Sequence, residues 1–213
     1  MHIPDGFLDL PQAGLLVVAT AILLGIAAKR AEGSLERGAG PLVGVMAAGI
    51  FAAQMLNWPL PGGTSAHFVG GALVAILLGP HLGALAMASV VTIQAIVFGD
   101  GGVLALGANV FNMAIVDVYV GYVVYRLLAD RNRAVAVFAA GWLGITAAAL
   151  AAAVQLGLSS AFAYDVGTVV TIMGVGHLLL GLIEGAITLL VYRAVASSRP
   201  DVLEWGLDRG VGA

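Results

Sequence analysis

The chain has no cysteine among its 213 residues. Disulfides, thiolate metal sites and cysteine nucleophiles are excluded together. A metal ion would have to be held by nitrogen or oxygen, or weakly by a methionine thioether. Charge is also scarce. Only 10% of residues are Asp, Glu, Lys or Arg, against about a quarter in a soluble domain. With 61% hydrophobic residues and a mean hydropathy of +1.03, too little polar surface exists to coat a water-soluble particle. The composition is that of an integral membrane protein. A net charge of -3 offers no attraction to nucleic acid. Lys29 is the sole lysine and stands in no Gly-Lys-Ser/Thr context, so no P-loop binds nucleotide and the chain is not its own ATPase. His-Glu-x-x-His is missing, which sets aside a membrane zinc protease. A bis-His haem needs two imidazoles on facing helices at similar depth, and only His177 is so placed.

What is present is a series of seven apolar runs, at about 11–29, 41–57, 67–79, 81–98, 108–128, 134–157 and 167–195. Gly, Pro and charged residues separate them. The expected fold is all-α, a polytopic membrane bundle of about seven transmembrane helices. A crossing helix needs about 20 apolar residues, so the third run is short and must be tilted or supported by neighbours. With the N-terminus outside, the inner segments are about 30–40, 79–81, 129–134 and the tail. All nine basic residues (Lys29, Arg30, Arg37, Arg126, Arg131, Arg133, Arg193, Arg199 and Arg209) then fall in or beside them. That asymmetry predicts an external N-terminus and a cytoplasmic C-terminus. One transmembrane domain is expected over 1–213, with an outer arm at 1–10, a bundle at 11–195 and a cytoplasmic tail at 196–213. Small-residue pairs such as Gly181-x3-Gly185 and Ala21-x3-Gly25 suit close helix packing, inside the bundle or against another subunit.

The outer face carries the candidate chemistry. Asp5 and Asp9, rather than positive charge, precede the first apolar run, unlike a signal peptide. The mature chain is therefore expected to start at Met1 with a free amine. A terminal amine, the next amide nitrogen and the imidazole of His2 can form fused five- and six-membered chelate rings. Three nitrogens in a plane suit Ni(II) or Cu(II), and Co(II) less readily. His67 follows Pro61-Gly62-Gly63-Thr64-Ser65-Ala66, a turn with permissive glycines, and is expected to open the third helix on the same side. The ten-residue arm spans up to about 33 Å when extended, with Pro4 and Gly6 to turn it back. Asp5 and Ser65 are candidates to support the site from behind.

Gln94 and Asn109 flank the Gly99-Asp100-Gly101-Gly102 loop and are expected either to orient His67 and its loop or, with Asn112 and Asp117, to join helices. His177 and Glu184, seven residues apart, share a helix face and read as a buried strut or part of an ion path. His81, at the opposite end, reads as an interfacial residue.

Met1-His2-Ile3-Pro4-Asp5-Gly6, Gly62-Gly63-Thr64-Ser65-Ala66-His67 with Gly70-Gly71, Phe98-Gly99-Asp100-Gly101-Gly102, Leu106-Gly107-Ala108-Asn109 with Asn112-Met113, and His177-Leu178 with Glu184-Gly185 together resemble the CbiM/NikM family. These are the cobalt- or nickel-specific substrate-binding subunits of energy-coupling-factor transporters. The resemblance implies a seven-helix bundle in which the terminal amine, the His2 amide and imidazole, and His67 bind Co(II) or Ni(II) as transported substrate. It also implies a transmembrane scaffold subunit, two cytoplasmic ATPase subunits and often a small accessory membrane subunit. Ala66 and His81 depart from the family pattern, where glycine and an aromatic are expected. Two other readings remain from the residues alone: a membrane redox or enzymatic protein using His177 and Glu184, and a stand-alone ion channel.

Overall fold

The computed structural model describes residues 1–36, 38–60 and 64–207. The turn at 61–63, Arg37 and Arg209 lie outside the described residues. The helices are α1 (Leu10–Glu36), α2 (Gly40–Gln54), α3 (Gly71–Leu78), α4 (Pro80–Val97), α5 (Leu106–Leu128), α6 (Arg133–Leu158), α7 (Val166–Ser198) and α8 (Pro200–Leu207). Seven correspond to the seven apolar runs. Among the described residues, α1, α4, α5, α6 and α7 are long and apolar enough to cross a membrane, α2 is a shorter apolar helix, and α3 has eight residues. Large apolar side chains such as Leu15, Val18 and Ile22 of α1 face outward, as lipid contact requires.

Local chemistry sets the ends. Pro41 and Pro80 stand in the first turns of α2 and α4, where the missing N–H removes no helical bond. Asp9 accepts the Gln12 N–H at 3.1 Å, Asn132 the Val135 N–H at 3.1 Å and Asp165 the Thr168 N–H at 3.1 Å, capping α1, α6 and α7. The basic pair Lys29-Arg30 does not end α1, which runs to Glu36. Both residues are good helix formers. Gly181 and Gly185 pack against the Trp142 and Phe138 carbonyls of α6, so that pair serves the bundle interior. Nothing lies within 4 Å of a Cβ built at Gly25.

Two features correct the expectation. A two-stranded antiparallel hairpin interrupts the helices, β1 (Asn57–Leu60) with β2 (Thr64–His67), in the register Asn57↔His67. His67 therefore ends a strand and does not open the third helix. Gly70, at φ +80°, separates them. α3 lacks a cap of its own and takes two buried carboxylates from other helices. Glu184 of α7 accepts the Val69 and Gly70 N–H groups at 2.9 and 2.7 Å. Asp117 of α5 accepts the Gly71 N–H at 3.0 Å. Unsatisfied N–H groups at a helix start are not tolerated in hydrocarbon, so a short helix at membrane depth depends on these acids. The second feature is a π-helical stretch at Phe111–Asp117 within α5. Its i→i+5 spacing brings both Asn112 and Asp117 to the buried face.

Gly107 lies against the α1 backbone, and an added Cβ would sit 2.6 Å from both Val17 Cα and Val17 N. Gly107→Ala is expected to destabilise the fold by about 1–3 kcal/mol, the usual cost of overpacking. The loss is read as a lower thermal midpoint in detergent.

Candidate metal centre

Residues 1–9 do not stand off the bundle. Met1, His2 and Ile3 have 2%, 6% and 2% of their surface exposed. Asn109 of α5 holds both polar groups of Ile3: its Oδ1 accepts the Ile3 N–H at 2.7 Å and its Nδ2 donates to the Ile3 carbonyl at 3.0 Å. Gly102 N–H donates to the same carbonyl at 2.9 Å. Gly6, at φ +86°, turns the arm. Asp5 accepts the Leu104 N–H at 2.8 Å, and Ser159 Oγ accepts the Asp9 N–H at 3.0 Å. The loop beneath is glycine because the arm lies on it: a Cβ at Gly101 would crowd Asn109 and His2, and one at Gly102 would strike Asp5.

The His2 ring is oriented from α4. Its Nε2–H donates to Gln94 Oε1 at 3.1 Å. The other nitrogen, Nδ1, is then the lone-pair atom, and it is the nitrogen a six-membered chelate ring uses. It has no hydrogen-bond partner among the described residues and lies 3.4 Å from Asp100 Oδ1. An ion pair at that distance requires a protonated ring. Burial argues for the neutral one, which leaves a lone pair facing a carboxylate, an arrangement suited to a cation. The His67 ring stacks on His2, with centroids 4.7 Å apart and planes 19° apart. His67 Nδ1–H donates to the Phe68 carbonyl at 2.8 Å, so Nε2 is bare.

Burial keeps these nitrogens unprotonated. It lowers the Met1 amine from 8.0 to about 4, against the pull of Asp100. It lowers His2 from 6.5 to about 4, and the neighbouring amine pushes the same way. His67 is held well below its ordinary value by burial, then by the amine, His2 and His177. Near neutral pH the amine and both imidazoles are therefore unprotonated.

The structure thus brings together Met1, His2 and His67, with Gln94, Asn109 and Asp5 holding the arm. Gln94 and Asn109 bond His2 and Ile3 and do not bond His67, because the arm lies between them and the hairpin. Asn112 belongs elsewhere: its amide exchanges two 2.8 Å hydrogen bonds with Gln155 of α6, joining helices. His177 and Glu184 do not pair. Glu184 caps α3, and His177 Nδ1–H donates to the Met173 carbonyl at 2.9 Å. His81 donates to or accepts from Tyr119 Oη at 2.9 Å, half-buried and away from the arm. The side chain of Ser65 lies outside the described residues. Asp100 was missed, since a carboxylate in a glycine loop looks like a solvated turn. Its one signal was the adjoining pair of glycines, which let the loop approach the arm. Among the described residues no three His, Asp or Glu side chains stand in metal-binding geometry. The described side chains that meet beside the chain terminus are the two imidazoles of His2 and His67.

A family model described as a cobalt uptake substrate-specific transmembrane region matches residues 2–202. The chain belongs to the CbiM family. It is 58% identical over 203 residues to a Haloquadratum walsbyi protein named for metal transport, covering 95% of this chain and 93% of that one. It is 57% identical to an Archaeoglobus fulgidus protein named for fused nickel transport, over 96% of this chain and 68% of that one. It is 32% identical to the Clostridium tetani cobalt transport protein CbiM, over 95% and 88%. A crystal structure titled as a truncated transition metal transporter superposes with a TM-score of 0.88 at 37% identity, covering 92% of this chain and 99% of that one. This CbiM protein is a multi-pass protein of the cell membrane that serves metal transport. That overturns the reading as a redox or enzymatic protein built on His177 and Glu184.

Asn109→Ala removes both side-chain bonds to Ile3. It is expected to weaken metal binding by about 10–100-fold, the range for a group that orients ligands, as measured by calorimetric titration.

Proposed function

We propose that this CbiM protein is the substrate-capturing membrane subunit of an energy-coupling-factor importer for Co(II) or Ni(II). The carrying observation is the pair of bare, buried imidazole nitrogens beside the chain terminus, His2 Nδ1 and His67 Nε2. The Met1 amine, the His2 amide nitrogen and His2 Nδ1 form three corners of a planar chelate, and His67 Nε2 supplies the fourth. Stacked rings direct their lone pairs along parallel planes, so one ring turns as the ion enters. Asp100 adds a negative charge beside the site, drawing the cation and offsetting its charge. Relatives named for nickel and for cobalt support both metals as substrates.

The arrangement in the membrane follows the charges. The described basic residues lie at the helix ends away from the arm: Lys29 and Arg30 late in α1, Arg126 late in α5, Arg133 opening α6, and Arg193 late in α7. That supports an external arm, seven crossings and a cytoplasmic tail, within one transmembrane unit over 1–213. Because the sequence has no P-loop, energy must come from partners. These are a scaffold membrane subunit, two cytoplasmic ATPases and a small accessory membrane subunit.

Acetylating the Met1 amine converts it to an amide and opens the five-membered chelate ring. Nickel binding is expected to fall by about a hundredfold or more, as for loss of ligands rather than of their support. Nickel titration of the acetylated protein at unchanged affinity would refute the chelate. Since burial has already removed the amine and imidazole protons, only the amide proton remains to leave. Calorimetry at pH 7 in buffers of different ionisation enthalpy is expected to show about one proton released per ion. Affinity should fall by about tenfold per pH unit between pH 8 and 5, and more steeply as pH drops through about 4, where the amine and His2 regain protons.

A further inference from the structure

A third imidazole lies on α7, the helix that packs against the strand ending at His67. His177 of α7 is fully buried. Its Nδ1–H is committed to the Met173 carbonyl, so Nε2 carries the lone pair, and nothing among the described residues bonds it. His67 is arranged in the same way, Nδ1 on a main-chain carbonyl and Nε2 bare. A backbone bond of this kind fixes tautomer and ring together and is the common preparation of a histidine ligand.

Further along the same face of α7 come Glu184, seven residues on, and Thr188, four beyond it. Both are buried. Asp117 adjoins Glu184, since the two hold the consecutive amides of Gly71 and Gly70. Asp117 Oδ2 is committed to Gly71, while among the described residues Oδ1 has no partner, and neither has Thr188 Oγ1. These two bare oxygens fit against α6 where it has glycine: a Cβ at Gly144 would strike Asp117 Oδ1, and one at Gly141 would lie 2.7 Å from Thr188 Oγ1. Buried polar atoms without partners are rare. Here His177 Nε2, Asp117 Oδ1 and Thr188 Oγ1 follow one another from the arm toward the end bearing the basic residues.

We propose that this file is the route by which the divalent ion leaves the outer chelate, with His177 as the ligand that takes it from His67. The route rests on the reading of the protein as a Co(II) or Ni(II) carrier. The first transfer is from imidazole to imidazole, so the ion keeps a donor it favours. An incoming Nε2 adds a bond before the His67 bond breaks; the amine and His2 Nδ1 then release the ion as neutral donors, and the His2 amide nitrogen regains from the outer side the proton it gave up on binding. The carboxylate of Asp117 then compensates its charge, and the Thr188 hydroxyl adds a neutral oxygen beyond it.

His177→Asn keeps an N–H near the position of Nδ1 and deletes Nε2. Thr188→Val removes the hydroxyl at nearly constant volume. Each variant is measured twice, as nickel affinity of the purified protein by calorimetry and as uptake of radiolabelled nickel by cells containing the transporter with its native partner proteins. The expected result is affinity within about twofold of the unsubstituted protein, with uptake reduced about tenfold or more by His177→Asn and severalfold by Thr188→Val. Unchanged uptake in both variants overturns the route. A His177→Asn variant that folds but has lost its affinity also overturns it, by making His177 a ligand of the outer chelate. If His177→Asn fails to fold, Thr188→Val alone decides. Failure of the unsubstituted protein to bind nickel or cobalt overturns the carrier reading, and the route with it.

Discussion

Docking of the first nine residues depends on one side chain. Asn109 accepts from and donates to Ile3, and in a low-dielectric interior neither main-chain group could be left without a partner. Its position is set in turn by α5 and by the approach of that helix to α1 at Gly107. Burial of the Met1 and Ile3 side chains contributes about 1.5–3 kcal/mol each. Against this stands the terminal amine. Its ordinary value is 8.0, so giving up its proton at pH 7 costs about 1.4 kcal/mol, one pH unit. Since the free arm binds more protons than the docked one, docking weakens progressively as pH falls from 8 toward 4.

The same burial shapes the chemistry. A solvated terminal amine and imidazole would meet a metal ion largely protonated, and the ion would have to displace those protons. Here the desolvation that makes the arm costly to dock in acid leaves the nitrogens free at neutral pH. Gln94 completes the arrangement by taking the wrong nitrogen of His2 out of contention. The site is therefore prepared by exclusion of water and by hydrogen bonds that fix ring tautomers, with Asp100 as the nearby anion.

The helices were legible because lipid demands long apolar runs, and because Pro41 and Pro80 mark their starts. His2 and His67 were legible because a chelating terminus and a glycine-rich turn each have a sequence signature. Other features have none. The hairpin ending at His67 follows from Glu184 and Asp117 holding the amides of residues 69–71, contacts more than 40 positions distant. The π-helical stretch has no compositional mark, yet it aims Asp117 inward. Helical spacing correctly placed His177 and Glu184 on one face. It could not show that each is already committed to a main-chain group, which separates two residues that looked like a pair.

The arm's partners lie far along the chain: Gln94, Asn109 and Ser159 stand 92, 106 and 150 positions from His2, Ile3 and Asp9. During synthesis the arm emerges before its anchors, so it waits until α4, α5 and the end of α6 have followed it before every contact can form. Enzymes that deformylate, trim or acetylate a nascent terminus act within that interval. Once docked, Met1 is buried and out of their reach. Under the proposed chelate, the state of the Met1 nitrogen decides whether the finished bundle can hold an ion.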